Sequence, residues 1–158
     1  MKRPSSRASR PSLPAPETLE RLHGRRLLIT GGTGFVGRCL LDALVDLWDA
    51  TGRGPRVWVL SRNVSGFFQR YPSYQRHEWL QFVEGDLLAV FDAGVVPGVG
   101  LHPARLALQA AGLSDILHAA ADTHSQDDGV AWIRQIVDGT RAMLEFASAV
   151  GVERFLLT

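Results

Sequence analysis

Apolar positions along this chain fall into two alternating patterns, short unbroken runs and longer stretches with a helical period. Leu27-Leu28-Ile29, Val57-Trp58-Val59-Leu60, Leu80-Gln81-Phe82-Val83, Ile116-Leu117-His118-Ala119-Ala120 and Phe155-Leu156-Leu157 are the runs. Successive apolar positions predict strands buried on both faces, as in a parallel sheet. Residues 25–30 form the first of these strands. Val36, Leu40, Leu44 and Val45 then recur at helical spacing to about Trp48, until Thr51-Gly52-Arg53-Gly54-Pro55 breaks the pattern. Pro16 to Leu22 predicts a short helical lead-in, residues 64–76 a short helix and loop, and residues 87–100 an irregular, glycine-rich segment. His102 to Ala111 reads as a helix stopped by Gly112. Val130, Ile133, Val137, Leu144 and Ala147 mark a long helix closed at Gly151. Strands alternating with helices mean a parallel sheet covered on both faces. No internal repeat exists beyond this alternation.

The turn after the first strand carries the first chemical signal. Thr30-Gly31-Gly32-Thr33-Gly34-Phe35-Val36-Gly37 leads from strand into helix. Such a turn lets unpaired helix N–H groups and the helix dipole face a pyrophosphate. Gly31 permits the tight turn, Gly34 lets backbone approach the phosphates, and Gly37 lets the helix pack on the strand. A P-loop is the competing motif. It requires Lys and Ser or Thr where this chain has Arg38 and Cys39, so it is rejected.

The order G-x-x-G-x-x-G after Thr30, filled as Gly-Thr-Gly-Phe-Val-Gly, resembles the extended short-chain dehydrogenase/reductase superfamily, its epimerase/dehydratase branch above all. The resemblance covers about residues 25–158 and implies a Rossmann-type doubly wound α/β fold. It implies roles for further residues. Asp86, with Leu87 in a G-D-[LIV] position, stands where the family's Asp accepts a hydrogen bond from the adenine amino group. His118-Ala119-Ala120-Ala121 matches H-x-A-A, whose small residues let backbone pass close to the dinucleotide. Val137-Asp138-Gly139-Thr140 is like N-V-x-G-T, with Ile136 in place of the Asn that braces the region around the active site. Gly139 within a helix costs about 1 kcal/mol relative to alanine, which implies a close neighbour.

The second strand ends at Ser61-Arg62-Asn63. A carboxylate there would bind the adenosine ribose of NAD. Arg62 instead offers a planar fork suited to a 2′-phosphate, which favours NADP over NAD. A metal site of His118, Asp122 and His124 is disfavoured, because alternate strand residues project from opposite faces. The four tryptophans, Trp48, Trp58, Trp79 and Trp132, read as packing residues.

Composition narrows the picture. The chain has 158 residues, room for one domain, and is 46% hydrophobic and 21% charged, as soluble globular proteins are. Of 17 Lys and Arg residues, Lys2, Arg3, Arg7 and Arg10 lie within residues 1–16, which hold no acid. The remaining 13 face 16 acids, so residues 17–158 are mildly acidic, which argues against a nucleic-acid surface. Residues 1–16 read as a disordered basic tail, without the apolar region of a secretory signal. No apolar run approaches a membrane span. Cys39 is the sole cysteine, consistent with a reducing cytoplasm, and it is expected to be a small core residue of the first helix.

The resemblance also says what these residues lack. The superfamily's reaction uses Tyr-x-x-x-Lys, and here Tyr71 and Tyr74 are followed four positions later by Gln75 and Glu78, while the only lysine is Lys2. The expectation is therefore an incomplete Rossmann domain over 17–158, with the catalytic groups beyond Thr158 and no turnover by these residues alone. The complete enzyme would act on a nucleotide-activated sugar, with a homodimer possible as in relatives. The alternatives are an NADP-dependent carbonyl or thioester reductase, or a non-catalytic NAD(P)-binding module.

Overall fold

A computed structural model describes residues 16–91, 100–120 and 129–158. The expected basic tail lies almost wholly outside these residues. Strands β1 (Arg26–Thr30), β2 (Arg56–Ser61), β3 (Leu80–Glu84), β4 (Asp115–His118) and β5 (Arg154–Leu157) form one sheet in the order β3-β2-β1-β4-β5, every pair parallel. The order reverses between β1 and β4. That switch point opens a crevice at the carboxyl ends of the strands, which is where open α/β sheets bind ligands.

Successive residues of each strand serve opposite faces, and each face is covered. Leu28, Trp58, Leu60 and Ile116 pack under α4 (Leu87–Phe91), α5 (Pro103–Ala110) and α6 (Gly129–Ala149). Ile29, Val57 and Val59 pack on the other face against Leu41 of α2 (Phe35–Thr51), Phe67 of α3 (Val64–Arg70) and Tyr74 of a 3-10 helix (Pro72–Arg76). This is the doubly wound Rossmann arrangement. Phe91 and Phe146 are fully buried with ring centroids 4.7 Å apart, each burial stabilising by about 1.5–3 kcal/mol. Trp48 stacks on Trp79 at 5.3 Å, and Trp58 is in the core, so these three do pack. The side chain of Trp132 lies outside the described residues.

Several sequence expectations are corrected. Residues 87–91 are helical, capped by Asp86, not irregular. The fourth strand ends at His118, because Ala119 and Ala120 leave the ladder to pass under the glycine turn. Each helical stripe holds in part: Leu44 and Val45 of α2 pack against the core and Ala147 of α6 is buried, but other members of each stripe are displaced. In α2, Gly37, Leu41 and Leu47 are buried while Val36 is exposed. In α6, Ala142, Met143, Phe146 and Ala147 form the core, whereas Ile133, Val137 and Leu144 are exposed. Cys39 is exposed, not a core residue, because two positions before Leu41 turns it about 200° away. The lead-in helix α1 (Pro16–Leu22) forms as expected.

Candidate functional site: a cleft at the strand ends

The cleft of about 420 Å³ at the switch point is built from strand ends and the turns that follow them. The glycine turn forms its floor. Gly31 has φ of +73°, and a Cβ there would lie 2.5 Å from the carbonyl oxygen of Ala119. A Cβ at Gly37 would lie 2.3 Å from the Gly31 carbonyl oxygen and 2.4 Å from Gly32 Cα. Gly34 is different. Its Cβ would meet only the Gly31 oxygen, at 3.2 Å, and the residue itself is exposed. Gly31 and Gly37 are therefore required by the protein's own backbone, while Gly34 leaves room for something else.

What fits beside Gly34 follows from α2. Gly34 caps this 17-residue helix in an extended conformation, and among the described residues no side chain caps the N–H donors of its first turn. Those donors and the positive end of the helix dipole are thus available to an anion at the cleft floor. Thr33 Oγ1 lies 3.3 Å from Ser61 Oγ, tying the turn to the end of β2.

One flank of the cleft comes from β2 and β3. Ser61 and Arg62 follow from β2, and the Gly85 N–H donates to the Ser61 carbonyl at 3.0 Å, holding the two strand ends together. Asp86 Oδ1 accepts from the N–H groups of Leu88 at 3.0 Å and Ala89 at 3.3 Å. It therefore caps α4 whatever else it binds. The other flank comes from β4 and α6. His118 is buried, its Nδ1 sharing a 2.6 Å hydrogen bond with Thr30 Oγ1. Burial holds the His118 pKa below the usual imidazole value and so favours the neutral ring.

Of the residues expected at a dinucleotide site, Thr30, Gly31, Thr33, Gly34, Phe35 and Arg62 line this cleft. So do Asp86, Leu87, His118, Ala119 and Ala120. Gly32, Val36 and Gly37 do not. Gly32 faces Val59, Gly37 faces the turn, and Val36 points to solvent from α2. Leu60, Ser61, Gly85 and Leu88 also line the cleft and were missed. Ser61 and Gly85 flank Arg62 and Asp86 in sequence, and that adjacency was the available signal. Ile136 lines it too, so the departure from the family's Asn puts an apolar side chain in the wall. Gly139 does have the close neighbour its helix position implied, since a Cβ there would lie 2.6 Å from Leu87 Cδ2. Asp122 and His124 lie outside the described residues, and among the described residues no His, Cys, Asp and Glu cluster could hold a metal. No helix among them is long and apolar enough to cross a membrane.

Neither tyrosine is placed for proton transfer in the cleft. Tyr74 is buried and donates to Asp42, and burial together with that bond pushes its pKa up, opposite to the need of a tyrosinate base. Tyr71 accepts from Arg38, whose guanidinium lies 4.7 Å from the Tyr71 ring centroid.

Residues 29–157 match the family model described as male sterility protein, an NAD-binding family. No curated protein matches the chain. Among solved structures, WbmG of Bordetella bronchiseptica, in complex with NAD and UDP, is 25% identical with a TM-score of 0.58. The likeness covers 85% of this chain and 37% of WbmG. The terminal R domain of the myxalamid PKS-NRPS pathway is 22% identical with a TM-score of 0.57, covering 92% of this chain and 38% of the domain. Yeast methylglyoxal/isovaleraldehyde reductase, complexed with NADPH, is 17% identical with a TM-score of 0.60, covering 84% and 36%. The chain thus spans less than two-fifths of these proteins, and at the two lower identities the likeness shows the fold. Family match, strand order and cleft agree: the chain belongs to the male sterility protein family, within the extended short-chain dehydrogenase/reductase superfamily, and is an NAD(P)-binding domain of that group.

Proposed function

We propose that the chain is the dinucleotide-holding half of an NADP(H)-dependent reductase acting on a carbonyl or thioester carbon. The observation that carries this reading is Arg62, which lines the cleft at the end of β2 where an NAD enzyme would place a carboxylate. A permanently charged guanidinium fork suits a 2′-phosphate. Net reduction draws on NADP(H), whereas epimerisation returns its hydride and leaves the cofactor unchanged. The male sterility match and the likeness to an R domain and to an NADPH-complexed reductase support the same side.

In this reading the α2 N-terminus and the glycine turn hold the pyrophosphate, Arg62 the 2′-phosphate, and Asp86 with Leu87 the adenine end. The space over His118, Ala119 and Ala120 takes the nicotinamide half. Bound NADPH supplies a hydride. The Tyr-x-x-x-Lys pair that the superfamily uses to move the proton is not found in these 158 residues, since the only lysine is Lys2 and both tyrosines are engaged elsewhere. The sole cysteine, Cys39, suits a cytoplasmic setting.

A nucleotide-sugar epimerase or dehydratase is the second reading, favoured by the 25% identity to WbmG, which was solved with NAD and UDP. Calorimetric titration of the chain with NADPH and NADH tests the first reading, which expects NADPH to bind more tightly. Net NADPH consumption with an aldehyde or thioester by the complete protein is the second arm. Equal cofactor affinities, with turnover of a UDP-sugar and no net cofactor change, would transfer the assignment to the epimerase.

A further inference from the structure

The wall formed by Asp86, Leu87 and Leu88 belongs to a helix too short to hold itself. α4 spans five residues, and an isolated helix of that length is far below the length at which its own hydrogen bonds offset nucleation. Its two ends are held by different side chains. At the cleft end, Asp86 Oδ1 accepts from Leu88 and Ala89. At the far end, Arg105 Nη1 donates to the carbonyls of Phe91 at 2.7 Å and Val90 at 3.4 Å. These are the last carbonyls of α4, which a helix leaves without internal partners. A cation there also complements the negative end of the helix dipole.

Arg105 is itself held in place. It stands in the first turn of α5, and its guanidinium lies 5.5 Å from the ring centroid of Phe146 in α6. Phe146 in turn packs on Phe91. One side chain from α5 therefore joins the end of α4 to the body of α6. Its Nε is buried without a partner among the described residues. Leaving such a donor unsatisfied is costly, so the arrangement is not the cheapest way to fill this space. From α4 the position is passed on to Leu87, whose Cδ2 occupies the space that the missing side chain of Gly139 leaves open.

We propose that Arg105 is a positioning residue for the dinucleotide, acting through α4 on the adenosine half alone. The inference rests on the proposed cofactor reading. With the 2′-phosphate at Arg62 and the pyrophosphate at the glycine turn, the adenosine half lies on the β2–β3 flank, against Asp86 and Leu87. The glycine turn itself is braced by Ala119 and Gly37 and makes no use of Arg105.

The test compares two probes on the full 158-residue chain by calorimetry, at a temperature where circular dichroism shows every variant fully folded. The probes are 2′,5′-ADP, which reports the adenosine flank, and inorganic pyrophosphate, which reports the glycine turn. Arg105→Met keeps the stem over Phe146 and removes the donors. It should weaken 2′,5′-ADP about tenfold, the equivalent of losing a cation at a helix C-terminus in a favourable geometry, and leave pyrophosphate unchanged. Arg105→Lys, which retains a cation, should recover part of the loss. Equal weakening of both probes, or a lowered melting temperature with unchanged 2′,5′-ADP affinity, would assign Arg105 a merely structural role. A parent chain that binds pyrophosphate but not 2′,5′-ADP overturns the cofactor reading and this inference together. A parent that binds both, with an Arg105→Met variant that binds both equally well, overturns this inference alone.

Discussion

Arg25, Ser114, Asp115, Glu153 and Arg154 close the N-terminal edge of the sheet, whereas its C-terminal edge runs out into Gly31, Gly85, Ala119 and Ala120. At the first edge, Asp115 accepts from Arg25 Nε at 2.7 Å, from Ser114 Oγ at 2.6 Å and from Arg154. Arg25 also reaches Glu153 at 2.8 Å. Charges there answer one another across β1, β4 and β5. At the second edge, side chains tie neighbouring strand ends together below the floor, while the glycine turn is held by backbone. Among the described residues, the donors at the start of α2 find no side-chain cap. A network that satisfies itself has no use for a ligand, and an edge left with unmet donors and open space does. Both edges come from the same five strands, so function here depends on which end of each strand is left incomplete.

The sharpest way to break that contrast is through the glycines, which the structure divides into two kinds. Gly37→Val should destabilise the fold by on the order of 4 kcal/mol or more, or prevent folding, because its new atoms would enter the backbone of the turn. Gly34→Val should cost about 1 kcal/mol, from the 3.2 Å approach to the Gly31 oxygen and a poorer N-cap, far less than Gly37→Val, and should abolish dinucleotide binding by filling ligand space. Melting curves and cofactor titration on both variants check this. A Gly34→Val protein that binds normally would mean that the anion does not sit at the α2 N-terminus.

Next in size is Asp115. Asp115→Ala removes the common acceptor of two arginines and should cost on the order of 2 kcal/mol of stability with no change in cofactor affinity. Burial alone would raise the Asp115 pKa, yet the bonds from Arg25, Ser114 and Arg154 together hold it below the ordinary value. The unfolded chain then binds this proton more readily than the folded one. Stability from Asp115 is complete above the unfolded pKa of about 3.9 and is lost as pH falls through the folded value. Urea unfolding across that acid range should show a shallower slope for Asp115→Asn than for the parent.

How legible all this was in the sequence differs between strands and helices. The strands β1, β2 and β4 could be read because strands buried on both faces are apolar at nearly every position, and β5 was legible from the same apolar run although Leu156 and Leu157 are exposed. The glycine turn was legible because φ above zero and backbone contact both exclude side chains. Helix faces were not. Ile133, Val137 and Leu144 keep helical spacing yet are exposed, while the buried face of α6 runs through Gly139, Ala142, Met143, Phe146 and Ala147, of which the hydrophobic spacing named only Ala147. Two apolar stripes share this helix, and hydrophobic spacing alone does not say which of them faces the sheet, nor does it count the small Gly139 and Ala142. Arg105 and the Asp115 network were invisible for a different reason. Their partners are far apart along the chain, as with Arg25 and Asp115, and nothing in local pattern links them.

A smaller effect is expected at Arg62. Arg62→Ala should weaken NADP(H) about tenfold, as for one charge-assisted contact to phosphate at an exposed position, and leave NAD(H) unchanged. Isothermal titration with both cofactors measures the ratio. If the two affinities fall together, Arg62 supports the cleft wall and does not read the 2′-phosphate.

The smallest effect at neutral pH belongs to His118, the one titratable group among the described residues that is buried at the open edge. His118 shares its hydrogen bond with Thr30 beneath the cleft, and desolvation depresses its pKa. The folded state therefore prefers the neutral ring, and the unfolded chain takes up the proton first as the solution is acidified. Stability from His118 is complete above the unfolded pKa of about 6.5 and declines as pH falls from there toward the folded value. Near pH 7 the contribution hardly changes with pH, and below it the loss begins well before Asp115 responds. His118→Gln keeps a polar partner for Thr30 without titrating in this range. Its stability should be flat between about pH 7 and pH 5, where the parent's declines by the linkage slope of a single proton. A parent profile that is flat over that interval would show that His118 takes up its proton as readily in the folded chain as in the unfolded one, and a profile that rises toward acid would show a ring charged in the folded state.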